Sequence, residues 1–348
     1  MKPRAALVAA ALAAALVPVP SGFVDRFYSR TVYAWLQPEL TAASNRIPFA
    51  LFDLLTIGAP LIWVALVAGD AARRRGWRKV VGRAASRLIV VAAVVYLAFV
   101  FLWAFNYRRT PLTTTLQFDQ STVTPGAAHA LAETTVARLN ALYRPAHAEG
   151  WDAASGIDPR LTAVVDAVTR TLGGSGLAVP ARPKYTVFDW YFRRAGVSGM
   201  TDPFFLETLV ESDLLPFERP FVVAHEWAHL AGFPNEGEAN FIAWLACVRA
   251  DAPRQYSGWL SLYSEVFASV ADSDRGVIAR ELGAGPRGDL GLIRRRLTRE
   301  LSPRVSDASR QAYDRYLKAN RVNAGMNSYG EVVRLILGTR LGAEAAGR

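Results

Sequence analysis

Three stretches near the N-terminus are almost purely apolar, and beyond them the pattern changes character. Residues 5–20 form a nearly uninterrupted run, residues 47–69 have Asp53 as their only ionisable side chain, and residues 88–105 carry no charge. A helix rises 1.5 Å per residue and a bilayer core is about 30 Å thick, so about 20 apolar residues make one span. The pattern predicts three transmembrane helices, at about 5–23, 47–69 and 88–105, the first long enough only with Ser21, Gly22 and Phe23 included. Lys2 and Arg4 ahead of the first run also fit a cleaved signal peptide, but the run ends in Val-Pro-Val-Pro-Ser-Gly without a small-x-small site, which favours a retained helix. Asp53, about two turns into the second span, reads as an interfacial or helix-capping residue.

After the membrane domain (1–106) comes a polar, Thr-rich stretch with Pro at both ends, read as a linker or extended arm over 107–125. Helical spacing resumes at 126–143 and 158–172, the latter opening on Asp-Pro and closing before Gly173-Gly174. The runs KYTVFDWYF, AGVSGM and FFLETLVES alternate with period two and predict a small mixed sheet. Residues 205–212 lie just ahead of the next helix and read either as an edge strand able to hold an extended peptide or as an internal strand. Beyond residue 251 the periodicity is helical again, over 256–270, 275–282, 290–301, 306–318 and 329–337. The fold class expected is α+β: three spans, then one folded domain (126–348) with a small sheet and a helical lower part.

Charge sharpens the topology. The 348 residues carry a net +10, yet residues 1–106 hold 12 Lys and Arg against 4 acids, leaving 28 against 26 for the rest. Between the second and third runs, residues 70–87 contain seven basic residues and one acid. The positive-inside rule places that loop and the N-terminus in the cytoplasm and everything after Asn106 outside, despite Arg108 and Arg109. The near-neutral C-terminal part has no basic stripe with interleaved aromatics, so no nucleic-acid partner is expected. The single cysteine, Cys247, excludes an intrachain disulfide and sits in an apolar helical run, as a core residue does.

The candidate chemistry lies in FVVAHEWAHLAGFPNEGEANF, residues 221–241, which holds two of the chain's four histidines. His225 and His229 are four apart, so on a helix both imidazoles face one way and can bind one Zn²⁺, with Glu226 beside it as general base. A catalytic zinc takes three protein ligands and a water. Zinc proteases that share this helix find the third ligand in one of two ways. In one, a Gly three residues after the second His bends the chain so that a ligand six residues after that His returns; in the other, a Glu on a later helix binds and a residue four further on braces a histidine. Gly232 stands at the bend position, but six residues after His229 is Asn235, a poor ligand. Glu236 is therefore expected as third ligand with Asn240 supporting it, and Glu238 is the alternative. Tyr329 and Tyr313 are candidates for stabilising the transition state. His129 and His147 have no partner at ligand spacing and read as surface or capping residues.

Several stretches taken together, NRIPFALFDLL, WAFNYRRTPL, SGMTDPFF followed by LPFERPFVVAHEWAHLAGF, NEGEANFIAWLAC and YLKANRVNAGMNSYGEVVRLIL, resemble an uncharacterised bacterial membrane family with a zincin-type motif. The resemblance runs along most of the chain and implies a zincin-like domain and a zinc metallopeptidase of unknown substrate. Glu-x-Glu-Ala-Asn is also similar to the ligand helix of some cytoplasmic zinc peptidases that act on repressors, where the separation from the second histidine is longer. The expectation is a multi-pass bacterial membrane protein that binds zinc and hydrolyses peptide or protein substrates outside the cytoplasm. A non-catalytic zinc-stabilised scaffold and a hydrolase of a non-peptide envelope amide are the alternatives.

Overall fold

The structure, a computed structural model, describes residues 3–73, 76–151 and 156–347, and the side chains of 327–329 also lie outside that description. It is mostly helical with one small sheet. Two helices are long and apolar enough to cross a membrane, Leu51–Ala72 and Trp77–Leu102, and they form an antiparallel hairpin. A third candidate exists only if Pro3–Leu16 and Ser21–Asn45, which meet at a 113° bend, count as one span. Pro3–Leu16 runs alongside Trp77–Leu102: Arg4 donates to Ser86 Oγ at 3.1 Å, and Arg108 donates to the Ala14 carbonyl at the other end.

Ser21–Asn45 corrects the expectation of a loop between the first two spans. Its polar positions conceal a helix because they face the folded domain instead of water. Ser29, Gln37, Thr41 and Ser44 are all buried. Gln37 donates to the Val179 carbonyl at 2.6 Å and Thr41 to that of Leu206 at 3.1 Å. Over Val24–Val32 the winding is π-helical, which puts residues five apart on one face. Tyr28 and Tyr33 use that face, the first donating to Phe101 O at 2.8 Å and the second to Leu230 O at 2.9 Å.

The sheet has the order β1 (Pro183–Lys184), β3 (Glu207–Val210), β2 (Gly199–Asp202), with β1 parallel and β2 antiparallel to β3. Residues 205–212 are therefore not an edge: β3 is central and buried throughout. The alternation misleads at Glu207, which is fully buried because Lys184 Nζ donates to it at 2.5 Å and the Phe52 amide at 3.1 Å. The free edge on the motif side belongs to β2. The run KYTVFDWYF is also not a continuous strand, since Asp189–Ala195 is a helix ended by the left-handed Gly196.

Asp53 caps across the boundary, accepting from Thr186 Oγ1 at 2.5 Å and from the Val187 amide at 2.9 Å. The segment expected as a linker is packed: Leu112 is buried and its amide donates to Glu238 Oε1 at 2.6 Å. Behind the sheet, the helices Arg219–Leu230, Glu236–Val248 and Ala252–Ser269 make the core, with Trp227, Trp244 and Trp259 buried among them. Cys247 is buried there. His147 is a surface residue, as expected, yet it packs beside Tyr143, Trp151 and Tyr256, with Nε2 2.9 Å from the buried Asp289 Oδ2.

Candidate metal centre

The motif helix, Arg219–Leu230, starts with Pro220 in its first turn, where the missing N–H costs nothing, and buries Val223, Ala224, Trp227 and Ala228. It ends in a Schellman turn. Gly232 has φ +86°, its amide donates to His229 O at 2.8 Å, and the Phe233 amide donates to Ala228 O at 3.1 Å. That turn aims the Phe233 carbonyl at His229 Nδ1, 2.8 Å away. A carbonyl only accepts, so Nδ1 carries a hydrogen and Nε2 is the nitrogen left to face Glu236 and, once deprotonated, to bind a metal.

The chain re-enters a helix at once. Asn235 caps Glu236–Val248, its side chain accepting from the Glu238 amide at 3.1 Å. Glu236 thereby stands at the first position and points back: its Oε2 lies 3.1 Å from His225 Nε2 and 3.4 Å from His229 Nε2. The imidazole centroids are 4.6 Å apart with planes at 89°. Glu236 is 2% exposed. Despite these short distances, Oε2 is buried without a hydrogen bond of acceptable geometry. The three ligand atoms lie within 4.8 Å of one another.

The electrostatics agree. Burial pushes His229 down, but the Glu236 carboxylate beside it dominates and raises it to about 9. Burial likewise opposes charge on Glu236, and the two imidazoles hold it well below the usual carboxylate range. Concentrated negative charge facing two imidazole nitrogens in a buried pocket is the donor set of a borderline cation. With metal–ligand distances of about 2.0–2.1 Å a tetrahedron has edges of about 3.3 Å, close to the two separations between Glu236 and the imidazoles. His225, His229 and Glu236 are, among the described residues, the group that could hold a metal ion.

Glu226 lies one position round the helix, buried, its pKa raised by loss of solvation. Its Oε2 accepts from Thr201 Oγ1 of β2 at 2.8 Å. Room for it comes from Gly199, where a Cβ would sit 2.7 Å from Glu226 Oε1. Neither Thr201 nor Gly199 was singled out from sequence; their two-residue spacing on a strand was the available signal.

Of the other expected residues, Tyr313 reaches the site and donates to Glu236 Oε1. Glu238 does not; it faces away, bound to the Leu112 amide, and burial raises it to about 7. Asn240 is buried but makes no side-chain hydrogen bond to either histidine among the described residues, and the brace on His229 is the Phe233 carbonyl. The Tyr329 side chain lies outside the described residues.

The sequence also hid what supports the turn. Three donors from the N-terminal part cap the carbonyls at the end of the motif helix. Trp103 Nε1 reaches His229 O at 3.5 Å, Tyr33 OH reaches Leu230 O at 2.9 Å, and Arg109 Nη1 reaches Gly232 O at 2.5 Å. The Arg109 guanidinium also stacks 4.2 Å from the Phe233 ring centre. Helix ends leave carbonyls without intrahelical partners, and here the N-terminal segments supply donors to those of Leu230 and Gly232 and a further donor to that of His229. The available signal was the pair Arg108 and Arg109 just beyond the third apolar run, where the expected topology disfavours basic residues.

No curated protein and no solved structure matches this chain. A family model described as "Protein of unknown function (DUF3810)" matches residues 28–337, a stretch that takes in Tyr33, the end of the hairpin, β2, the motif helix and Tyr313. The chain is a member of the DUF3810 family.

Proposed function

We propose that this protein is a membrane-anchored zinc peptidase with a zincin-type centre. The observation that carries the reading is the convergence of His225 Nε2, His229 Nε2 and Glu236 Oε2 beside the buried, Thr201-anchored Glu226. Among the described residues the cluster offers three ligand groups, as a catalytic site does, and Glu238 is engaged elsewhere instead of closing a fourth position. That disfavours the scaffold alternative.

A zinc ion on these residues supplies a water of lowered pKa and polarises the scissile carbonyl. The protein's own part is proton traffic and positioning. Thr201 holds one Glu226 oxygen, leaving Oε1 to accept a proton from the attacking water and return it to the leaving amine. The Phe233 carbonyl fixes the His229 tautomer, and Tyr313 fixes the carboxylate rotation of Glu236. The basic loop at 70–87 supports a cytoplasmic hairpin turn and a catalytic domain outside.

The test is a pair of variants in the full-length protein. Glu226→Gln keeps its zinc and loses about 10²- to 10⁴-fold in turnover, whereas His225→Ala loses both. Full zinc occupancy in His225→Ala would overturn the ligand assignment.

A further inference from the structure

The metal-ligand cluster lies close to the end of a helix long and apolar enough to cross a membrane. Trp103 follows directly on the span Trp77–Leu102, and its ring centre is 6.3 Å from that of His229. Phe99, inside the last turn of the span, lies 6.3 Å from Trp103, 6.5 Å from Phe204 in the β2–β3 turn and 6.0 Å from Tyr316. Tyr316 stacks at 5.5 Å on Tyr313, which holds Glu236. Two short chains of aromatic rings thus join the end of a span to the ligands. The headgroup layer is about 5–8 Å thick on each side, a thickness similar to the separation between the rings at the end of the span and His229.

The surface around the cluster agrees. The helix Ser21–Asn45 turns away from Pro3–Leu16 at 113° and leads to the start of Leu51–Ala72. Its inner side holds the domain through Tyr33, Gln37 and Thr41, while Phe23, Phe27 and Trp35 on its outer side are 53%, 51% and 66% exposed. On the other flank Val187, whose amide is bound by Asp53 in the first turn of the span, is 60% exposed, and Trp190 is 50% exposed. Aromatic and apolar side chains exposed on both flanks of the hairpin are the composition of an interfacial belt.

The geometry points to a substrate class: peptide chains held at the membrane surface by a span or lipid anchor, cut a few residues from the point where they leave the bilayer. This rests on the peptidase reading. An extended chain covers about 3.3 Å per residue, so two to six residues bridge the headgroup layer to the ligands. Tethering raises the effective concentration to about millimolar, which at micromolar free peptide is a gain of 10²-fold or more.

The experiment uses the full chain reconstituted in phosphatidylcholine–phosphatidylglycerol vesicles and two peptide pools with the same randomised region. One pool carries a Leu/Ala span of about 20 residues at either end, and the other is free and acetylated. Mass spectrometry maps the cuts, with Glu226→Gln of matched zinc content as the blank. The expected result is Glu226-dependent cleavage of the anchored pool, at least about 10-fold faster than the free pool and concentrated within about six residues of the span. Equal Glu226-dependent rates in the two pools, or cuts spread evenly with distance from the span, would overturn the inference and leave the peptidase reading standing. No Glu226-dependent cleavage in either pool would overturn both.

Discussion

Gly232→Ala probes the joint on which the site turns. Gly232 holds φ +86°, a region that costs a residue with a side chain roughly 1–2 kcal/mol. The new Cβ would also sit 3.2 Å from Asn106 Oδ1 and 3.3 Å from Tyr33 Cε1, both in tightly packed membrane-side segments. Together these predict a loss of about 2–3 kcal/mol, or about 4–12 °C in melting temperature for a domain of this size. The larger effect is on the metal. If the turn relaxes, the Phe233 carbonyl leaves His229 Nδ1, and losing such a brace weakens metal affinity by about 10- to 100-fold. The assay is zinc competition against a chromogenic chelator in detergent-solubilised full-length protein, with a thermal melt of the same sample. Gly232→Asn, which tolerates the left-handed region better, should fall between the two. Wild-type zinc affinity in Gly232→Ala would refute the claim that this turn orients His229.

Three further outcomes follow from other contacts. Gly199→Ala places a Cβ 2.7 Å from Glu226 Oε1, so it should displace the general base and cost about 10²-fold in turnover while zinc content stays unchanged. Tyr313→Phe removes the hydroxyl that holds Glu236 and should weaken zinc by about 10-fold without lowering the melting temperature. Asp202, at 0% exposure, has its pKa raised by burial from 3.8 to about 7, against the pull of the Phe204 and Phe205 amides. The folded state then keeps a proton that the unfolded state releases, so this group's contribution to stability falls as pH rises from about 4 to about 7 and is level above that. Asp202→Asn should flatten that slope in a pH series of melts, and an unchanged slope would show that another group sets it.

How much of this was legible depends on the range over which each signal acts. The pair His225 and His229 is a local pattern and needs only a helix. Glu236 was picked out because it stands four residues before Asn240; the cap at Asn235, which fixes where that helix begins, carried a signal that went unread. Binary patterning failed where polar residues are buried by distant partners. Glu207 made β3 look half-exposed because nothing local announces Lys184, and the polar inner face of Ser21–Asn45 hid a helix whose hydrogen bonds reach residues more than 130 positions away. Asp289 is buried for the same reason, its partner His147 standing 142 residues away on the surface. Dividing the chain at residue 106 obscured the most consequential contacts, since Trp103 and Arg109 lie on either side of it and both hold the end of the motif helix. A hydropathy profile shows where a span ends, and it carries no information about what the residues just beyond it grip.

The central claim is that His225, His229 and Glu236 together bind one zinc ion and that Glu238 takes no part. Metal analysis of the purified full-length protein beside its Glu236→Gln and Glu238→Gln variants tests it most directly. The account predicts close to one zinc per chain in the wild type and in Glu238→Gln, and little or none in Glu236→Gln. Zinc retained by Glu236→Gln, or lost from Glu238→Gln with the fold intact, would contradict it.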